Sequence, residues 1–247
     1  MICTKFHDRG LDVDNRASVP RWKRFLDVTL ILVASPVLLP LMLAVGILVR
    51  MVSAGPVLFR QERVGFLGQR FMCFKFRTMF VNADAAVHQG HLDQLMDADT
   101  PLVKMDAKGD PRIIPLGRLL RASGLDELPQ LINVLRGEMS LVGPRPCMPY
   151  EYKKYQRWQK ERFNTLPGLT GLWQVGGKNK TTFTEMICLD IRYARRKTLW
   201  LDLKIILKTV PAVLAQVLES RYAREHKPFS RRESAAVTDL TSRAVRQ

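Results

Sequence analysis

One uncharged apolar segment constrains the fold of this chain more than any other feature. It runs from Val28 to Val49, reads VTLILVASPVLLPLMLAVGILV and is 22 residues long. A helix of that length can cross a hydrocarbon core of about 30 Å. We therefore expect a membrane protein with one long apolar helix near the beginning of the sequence.

Two features of this segment favour a helix that enters and leaves the membrane on one face. Pro36 removes a backbone donor and Ser35 can satisfy the freed carbonyl, so we predict a helix break at Ser35-Pro36. Both flanks are basic, with Arg21, Lys23 and Arg24 before the segment and Arg50, Arg60 and Arg63 after it. Because basic flanks favour the cytoplasmic side, the pattern predicts a re-entrant helix–break–helix. A straight, proline-kinked spanning helix is the alternative.

The balance of charge predicts an anionic partner. The chain has 39 Lys and Arg against 23 Asp and Glu, a net charge of +16. Nucleic acid, acidic inner-leaflet lipids and a phosphorylated substrate all fit this charge. No recognised nucleic-acid motif is present, but charge alone does not choose among these partners.

Downstream of the apolar segment, the pattern predicts a short β-hairpin. Two strands are expected to meet around Phe66-Leu67-Gly68-Gln69, with glycine in the turn. Alternation puts three apolar side chains on one face: Met72, Phe74 and Phe76. Lys75 and Arg77 fall on the other face. These two cations either bind an anion or form a solvated outer surface.

The most informative stretch for chemistry is residues 110–139. Pro129 is tolerated only in the first turn of a helix, so we expect a helix that starts close to Asp126 and ends at Gly137. Its buried stripe has the i, i+3, i+4, i+7 spacing: Leu128, Leu131, Ile132 and Leu135. Asp126 and Glu127 would then lie at the positive end of the helix dipole, which favours ionised carboxylates and bound phosphate.

This position gives Asp126 two possible roles. An ionised carboxylate beside a phosphate site can attack phosphorus and form an acyl phosphate, with Arg112, Arg118 and Arg121 neutralising charge. An acidic first turn that only caps a helix is the alternative.

A basic amphipathic region follows at residues 185–218. It reads as one or two helices whose apolar side has four members: Trp200, Leu203, Ile206 and Leu207. Such helices can lie on an acidic bilayer or pack as ordinary core.

The order of short motifs over residues 21–215 resembles the bacterial sugar transferases, the monotopic phosphoglycosyl transferases. These motifs are KRFLDV, ASP inside the apolar segment, FRQERVG, FKFRTM, DPRI, LGRLLR, LDELPQL, SLVGPRP, PGLTGLWQV and LDLKII. Their order over that length is far more specific than any one of them. One departure is Gly124, where many members have serine, so a capping hydroxyl is either lost or supplied by Ser123.

The resemblance implies a sugar-1-phosphate transferase at the cytoplasmic face of the bacterial inner membrane. Asp126 would attack the β-phosphate of a UDP-sugar, expel UMP and hold the sugar phosphate until polyprenyl (undecaprenyl) phosphate accepts it. Glu127 and Asp126 would lie beside Mg²⁺. Four cations in family motifs would hold phosphates: Lys75, Arg77, Arg112 and Arg145. Such reactions initiate exopolysaccharide, capsule, O-antigen or other glycoconjugate synthesis.

Together these patterns predict a mainly α protein with a short β-hairpin, of the α+β class, with interfacial amphipathic helices. We expect a flexible segment over 1–20, a re-entrant membrane helix over 21–51, a cytosolic catalytic domain over 52–220 and a basic tail over 221–247. A homo-oligomer is possible. Two alternatives are a membrane-anchored basic binding protein without catalysis and a glycosyltransferase that releases UDP.

Overall fold

The computed structural model describes residues 19–80, 112–176 and 181–225, with side chains to Leu218 in the last helix. These ranges are mostly helical and contain two small sheets, which confirms the predicted α+β class. The helices are α1 Arg21–Val52, α2 Gly117–Ser123, α3 Gln130–Arg136, α4 Pro149–Lys154, α5 Leu172–Val175, α6 Phe183–Arg196 and α7 Leu199–Glu225. The strands are β1 Leu58–Val64, β2 Arg70–Phe76, β3 Ser140–Val142 and β4 Gly168–Thr170. Short 3₁₀ segments are Phe66–Gly68, Leu125–Glu127 and Trp158–Phe163.

The predicted hairpin is confirmed. Strands β1 and β2 pair antiparallel, with Leu58 opposite Phe76. At the turn, Gly68 has a φ of 78°, which favours glycine, and a Cβ there would lie 2.6 Å from the Tyr152 hydroxyl oxygen, so the tyrosine would have to shift. Phe74 and Phe76 are buried as expected, whereas Met72 is 44% exposed.

A second, parallel pair of strands places the loop that follows β3. Strands β3 and β4 pair with Ser140 opposite Gly168. A Cβ at Gly168 would lie 2.0 Å from the Gly143 nitrogen, so this close backbone contact requires glycine. The contact fixes where residues 143–148 leave the sheet.

Helix α1 runs without interruption through both of its prolines. Pro36 leaves the Leu32 carbonyl without its usual amide donor, and the Ser35 hydroxyl donates to that oxygen at 2.8 Å. The predicted role of Ser35 is thus seen. The structure shows no break in helical backbone at Ser35-Pro36, because the hydroxyl replaces the missing bond and the helix continues.

One face of α1 packs on the rest of the molecule along its whole length. Lys23 and Asp27 near its start and Val45 and Val49 near its end are all buried. Its outer face exposes large apolar side chains: Leu32, Val33, Val37, Leu39, Leu43 and Ile47. Within the described ranges, α1 is the one helix whose length and composition suffice to cross a membrane. An exposed apolar face of this extent is compatible with membrane association.

Helix α3 packs against β2 and α1 through Leu131 and Val134. Leu135, which we predicted to be buried, is 44% exposed. The reason lies in Asn133, whose amide accepts from the Phe74 nitrogen at 3.2 Å and donates to the Met72 carbonyl at 2.7 Å. These bonds turn the Asn133 side of the helix toward β2, and a residue two positions later points the opposite way.

Residues 185–218 fall on two helices, α6 and α7. Two helices were one of the two arrangements predicted for this stretch. Two residues of the apolar side predicted for α7, Trp200 and Leu207, are more than 70% exposed and so do not pack as ordinary core, which was one of the two predicted alternatives. Asp202 and Ile205 are buried instead. The buried face is selected by Asp202, which has polar partners inside the molecule. Helix α7 continues to Glu225, past the predicted start of the tail. Most of the predicted flexible segment and tail lies outside the described residues.

Candidate active site

The Asp-Glu pair lies on a 3₁₀ turn rather than in the first turn of an α-helix. Gly124 ends α2 with a φ of 72°, and the Glu127 nitrogen donates to its carbonyl at 3.0 Å. Helix α3 begins only at Gln130 because Pro129, which lacks an N–H, occupies its N-cap. The predicted helix end at Gly137 is confirmed by its φ of 81°.

Gly124 suits this turn better than the serine found in many members would. Its positive φ strains any residue with a Cβ. The Ser123 hydroxyl does not replace the lost cap, because it donates backwards to the Leu119 carbonyl at 2.8 Å and the Leu120 carbonyl at 3.1 Å. The turn is therefore shaped by its backbone conformation and not by a side-chain cap.

The structure brings together four of the predicted site residues. Asp126 is buried, and Glu127 beside it is 24% exposed at its side chain. The Glu127 Oε1 atom accepts from Lys75 Nζ at 2.7 Å and lies 3.5 Å from Arg145 Nη1. Lys75 comes from β2 and Arg145 from the loop after β3, so three separate segments converge on this pair.

The electrostatics of Asp126 differ from the prediction of a stabilised carboxylate. Burial raises its pKa above the usual value, and the neighbouring Glu127 charge raises it further. Lys75, Arg121 and Arg145 lower the pKa but do not fully offset the loss of water. An ionised Asp126 is thus stabilised by the surrounding cations more than by solvent.

Arg77 occupies a different environment from Lys75. Its guanidinium donates to the Ser53 carbonyl at 2.7 Å and to the Ala54 carbonyl at 2.6 Å, just after the end of α1. Arg112 lies beside the bridge between Met79 and Ile113, and its carbonyl accepts from the Phe80 nitrogen. The structure therefore separates Arg77 from Lys75, and a phosphate-binding role for Arg112 stays a prediction.

The carboxylates that could hold a metal ion are those of Asp126 and Glu127. Within the described ranges, no group of three or more His, Cys, Asp or Glu side chains is placed to bind a metal. Mg²⁺ commonly uses one or two carboxylates and completes its shell with water and substrate phosphates. The adjacent pair fits that mode of binding.

Comparison with known proteins agrees with the geometry of the site. A family model described as "Bacterial sugar transferase" matches residues 18–216. The chain belongs to the bacterial sugar transferase family. This membership confirms the resemblance seen in the motif order, and the chain is accordingly a transferase.

Three similar relatives cover most of the chain. "Exopolysaccharide production protein ExoY" of Sinorhizobium fredii is 38% identical over 191 residues, which are 77% of this chain and 84% of that protein. "UDP-glucose:undecaprenyl-phosphate glucose-1-phosphate transferase" of Caulobacter vibrioides is 41% identical over 207 residues, 81% of this chain and 72% of the relative. "Galactosyl transferase CpsE" of Streptococcus agalactiae is 42% identical over 195 residues, 78% of this chain but 42% of the relative.

We did not predict from the sequence that several charged residues are buried in ion pairs. Lys23 donates to Asp202 Oδ2 at 2.6 Å, and Arg162 donates to Asp190 Oδ2 at 2.5 Å. A charged residue inside an otherwise apolar helical pattern could have indicated such a buried pair, as Asp202 does between Leu201 and Leu203. Such a residue is rarely buried unless it is paired.

Proposed function

We propose that this chain transfers a sugar-1-phosphate from a UDP-sugar to polyprenyl phosphate through a covalent intermediate on Asp126. The proposal rests on one observation. Asp126 is buried next to Glu127, whose carboxylate is contacted by Lys75 and Arg145. The printed name of the Caulobacter relative describes the same class of reaction. A buried carboxylate surrounded by cations suits attack on an anionic phosphate.

In the first step, an Asp126 carboxylate oxygen attacks the β-phosphorus of the UDP-sugar. A bond forms between that oxygen and phosphorus, and the bond from phosphorus to the oxygen bridging the two phosphates breaks. UMP leaves with the electron pair. Lys75 and Arg145 offset the charge on the phosphate oxygens, since charge-assisted bonds of this kind are strongest in a site that excludes water.

In the second step, a phosphate oxygen of the lipid attacks the phosphorus bound to Asp126. The bond to the carboxylate breaks, which regenerates Asp126 and yields a polyprenyl diphosphate sugar. Asp126 is the nucleophile in the first step and the leaving group in the second, and the same cations offset the phosphate charge in both. One site between Asp126, Lys75 and Arg145 therefore serves both substrates in turn.

Glu127 has two functions in this proposal. Before substrate arrives, its carboxylate holds Lys75 and Arg145 in place, as their contacts show. When substrate is bound, Glu127 together with Asp126 would hold Mg²⁺, which neutralises charge on the phosphate oxygens.

We further propose that α1 is re-entrant and that the rest of the molecule lies on the cytoplasmic face of the inner membrane. Support comes from the packing of its two ends, because Lys23 and Val49 are both fully buried against the same body. A helix of 32 residues is about 48 Å long. It could not carry its ends to opposite sides of a bilayer while both remain packed on a domain that stays on one side.

The exposed side of α7 supports contact with acidic lipid. Trp200 and Leu207 are exposed on it, and Lys204 and Lys208 lie on the same outer part of the helix. Apolar side chains can enter the interface while lysines meet anionic headgroups.

Identification of the released nucleotide tests the proposed function. The purified full-length chain, with Mg²⁺ and polyprenyl phosphate, is incubated separately with UDP-glucose, UDP-galactose and UDP-N-acetylglucosamine. Release of UMP with at least one of them is the expected result. Release of UDP would indicate transfer of the sugar alone, and release of neither nucleotide would contradict a role in this chemistry.

A further inference from the structure

The loop that carries Arg145 is held by donors from outside it. Its carbonyls at residues 144 to 147 accept in succession from Gly168 N at 2.9 Å, Arg162 Nη2 at 2.9 Å, Arg63 Nη1 at 3.3 Å and Val64 N at 2.9 Å. Pro144 and Pro146 have no N–H, so the loop has few amides of its own with which to fix its shape. Two of these four donors are arginine side chains.

Arg162 is the more deeply buried of the two arginines. It lies in the 3₁₀ segment before β4 and is 2% exposed. Besides the Arg145 carbonyl, its guanidinium reaches Asp190 Oδ2 at 2.5 Å and the Tyr155 hydroxyl at 2.8 Å. Asp190 belongs to α6, so the pair connects the Arg145 loop to a long, well-packed helix.

Stability alone gives little reason to bury this ion pair. Replacing a buried pair with apolar side chains of similar volume is often neutral or stabilising. The guanidinium offers something an apolar side chain cannot, because its Nη2 atom donates to the Asp190 carboxylate and to the Arg145 carbonyl at once. Its position on the Arg145 carbonyl connects it directly to the candidate active site.

We infer that Arg162, anchored by Asp190, is a positioning residue that fixes the Arg145 guanidinium beside Glu127. The chain of contacts runs from Asp190 to Arg162, to the Arg145 carbonyl, and through the Arg145 side chain to Glu127. This inference rests on the proposed function, in which Arg145 holds a substrate phosphate. A displacement of about 1 Å at a group that orients substrate can lower a rate by about 100-fold.

A double-mutant cycle between Arg162 and Arg145 tests this inference. Arg162→Lys keeps a positive charge beside Asp190, but its single nitrogen stands on a shorter side chain and cannot occupy the position from which Nη2 bonds the Arg145 carbonyl. We expect Arg162→Lys to lower kcat/KM for UMP release by about 10- to 100-fold, with its Tm within a few degrees of wild type. In the Arg145→Ala background, Arg162→Lys should lower kcat/KM little further, because both changes act through the Arg145 side chain.

Arg195→Lys is the matched control. Arg195 lies on the same helix as Asp190, and it pairs with Glu161, the residue before Arg162. This variant is expected to keep the wild-type kcat/KM. If Arg162→Lys folds poorly, the double change Arg162→Met with Asp190→Leu removes both buried charges and should show the same lack of additivity with Arg145→Ala.

Two results would overturn the positioning role: a wild-type kcat/KM in Arg162→Lys, or losses that multiply in the double variant. Absence of UMP release by the wild-type chain with every UDP-sugar would instead contradict the proposed function. Amide hydrogen exchange would still decide the positioning role in that case. Arg162→Lys should speed exchange in residues 145–152 relative to Arg195→Lys, and equal exchange would overturn the inference.

Discussion

At the scale of single residues, Asp126 combines a chemical role with a cost to the fold. Its pKa is raised by burial and by Glu127. A carboxyl with a raised pKa binds its proton more tightly in the folded state. The stability this provides is complete below the usual Asp pKa and is lost as the pH rises through the raised value. At neutral pH the ionised form therefore destabilises the fold.

This sign leads to a prediction for Asp126→Asn, which keeps the size of the side chain and removes its charge. At pH 8 the variant should have a higher Tm than wild type in detergent, and the difference should vanish in acid. Its UMP release should fall by at least about 1,000-fold, as for loss of other nucleophiles. A lower Tm than wild type at pH 8, measured by calorimetry, would contradict the electrostatic account.

Lys75 and Arg77 are two residues apart, but substitution of each should cause a different defect. Lys75→Met should lower kcat/KM by about 10- to 150-fold, because a charge-assisted bond to phosphate contributes about 1.5 to 3 kcal/mol, while its Tm stays near wild type. Arg77→Met should instead lower the Tm, since it leaves the Ser53 and Ala54 carbonyls without their donor. The folded fraction of Arg77→Met should keep a normal KM for the UDP-sugar. The opposite assignment of the two defects would refute this distinction.

The sequence was informative for residues whose role follows from local context. Glu127 stands in a specific motif and Arg145 in a proline-bracketed loop, and both were predicted for the site. Arg162 was missed because it lies in the charged run KERF, and charged runs usually face solvent. Its burial depends on Asp190, 28 residues further along the chain, and only tertiary packing reveals that pair.

At the scale of elements, the start of α1 is fixed to the start of α7 by a buried ion pair. Lys23 donates to Asp202 at 2.6 Å, to the Val142 carbonyl at 2.7 Å and to the Tyr193 hydroxyl at 2.8 Å, and both charged side chains are inaccessible to solvent. Removing one partner leaves an uncompensated buried charge. Lys23→Met should therefore destabilise the protein by about 3 to 5 kcal/mol.

The double variant Lys23→Met with Asp202→Leu should recover part of that loss, because no charge remains buried. Arg70→Met is the control, since its pair with Glu62 spans 3.5 Å and both side chains are about half exposed. That change should alter the unfolding free energy by less than about 1 kcal/mol. Denaturant unfolding in detergent measures all three, and equal effects of Lys23→Met and Arg70→Met would show that the buried pair does not hold α1.

The arrangement of α1 in the membrane can be measured from its two ends. Arg21→Cys and Ala54→Cys place thiols on exposed positions at either end of the helix. A re-entrant helix predicts that an impermeant maleimide labels both in inverted vesicles and neither in intact cells. The wild-type chain gives the background from its native cysteines. Labelling of the two positions from opposite sides would establish a spanning helix.

Helix α1 also shows where local rules were insufficient. Pro36 predicted a break, yet the helix continues because the Ser35 hydroxyl bonds the Leu32 carbonyl and one whole face is packed. Likewise the spacing of Leu135 predicted burial, but the polar contacts of Asn133 decided which face of α3 turns inward. In α1 a side-chain hydrogen bond compensates for the proline, and in α3 side-chain hydrogen bonds outweigh the apolar pattern.

At the scale of the whole molecule, α1 and the Asp126–Glu127 pair belong to one packed body. Helix α1 shares a hydrophobic cluster with β2 and α3 and a second with α2. Strand β2 carries Lys75, and the turn between α2 and α3 carries Asp126 and Glu127. The proposed catalytic groups thus lie on the elements that contact α1, which suits the proposed transfer to a lipid acceptor.

The central claim is that Asp126 holds the sugar phosphate covalently between the two steps. The most direct measurement incubates the full-length chain with its UDP-sugar and Mg²⁺ but without lipid, counts UMP and analyses the protein by mass spectrometry. The account predicts a burst of at most about one UMP per active enzyme and a sugar-phosphate adduct on the peptide that contains Asp126. UMP release that strictly requires the lipid, or an adduct that still forms in Asp126→Asn, would contradict it.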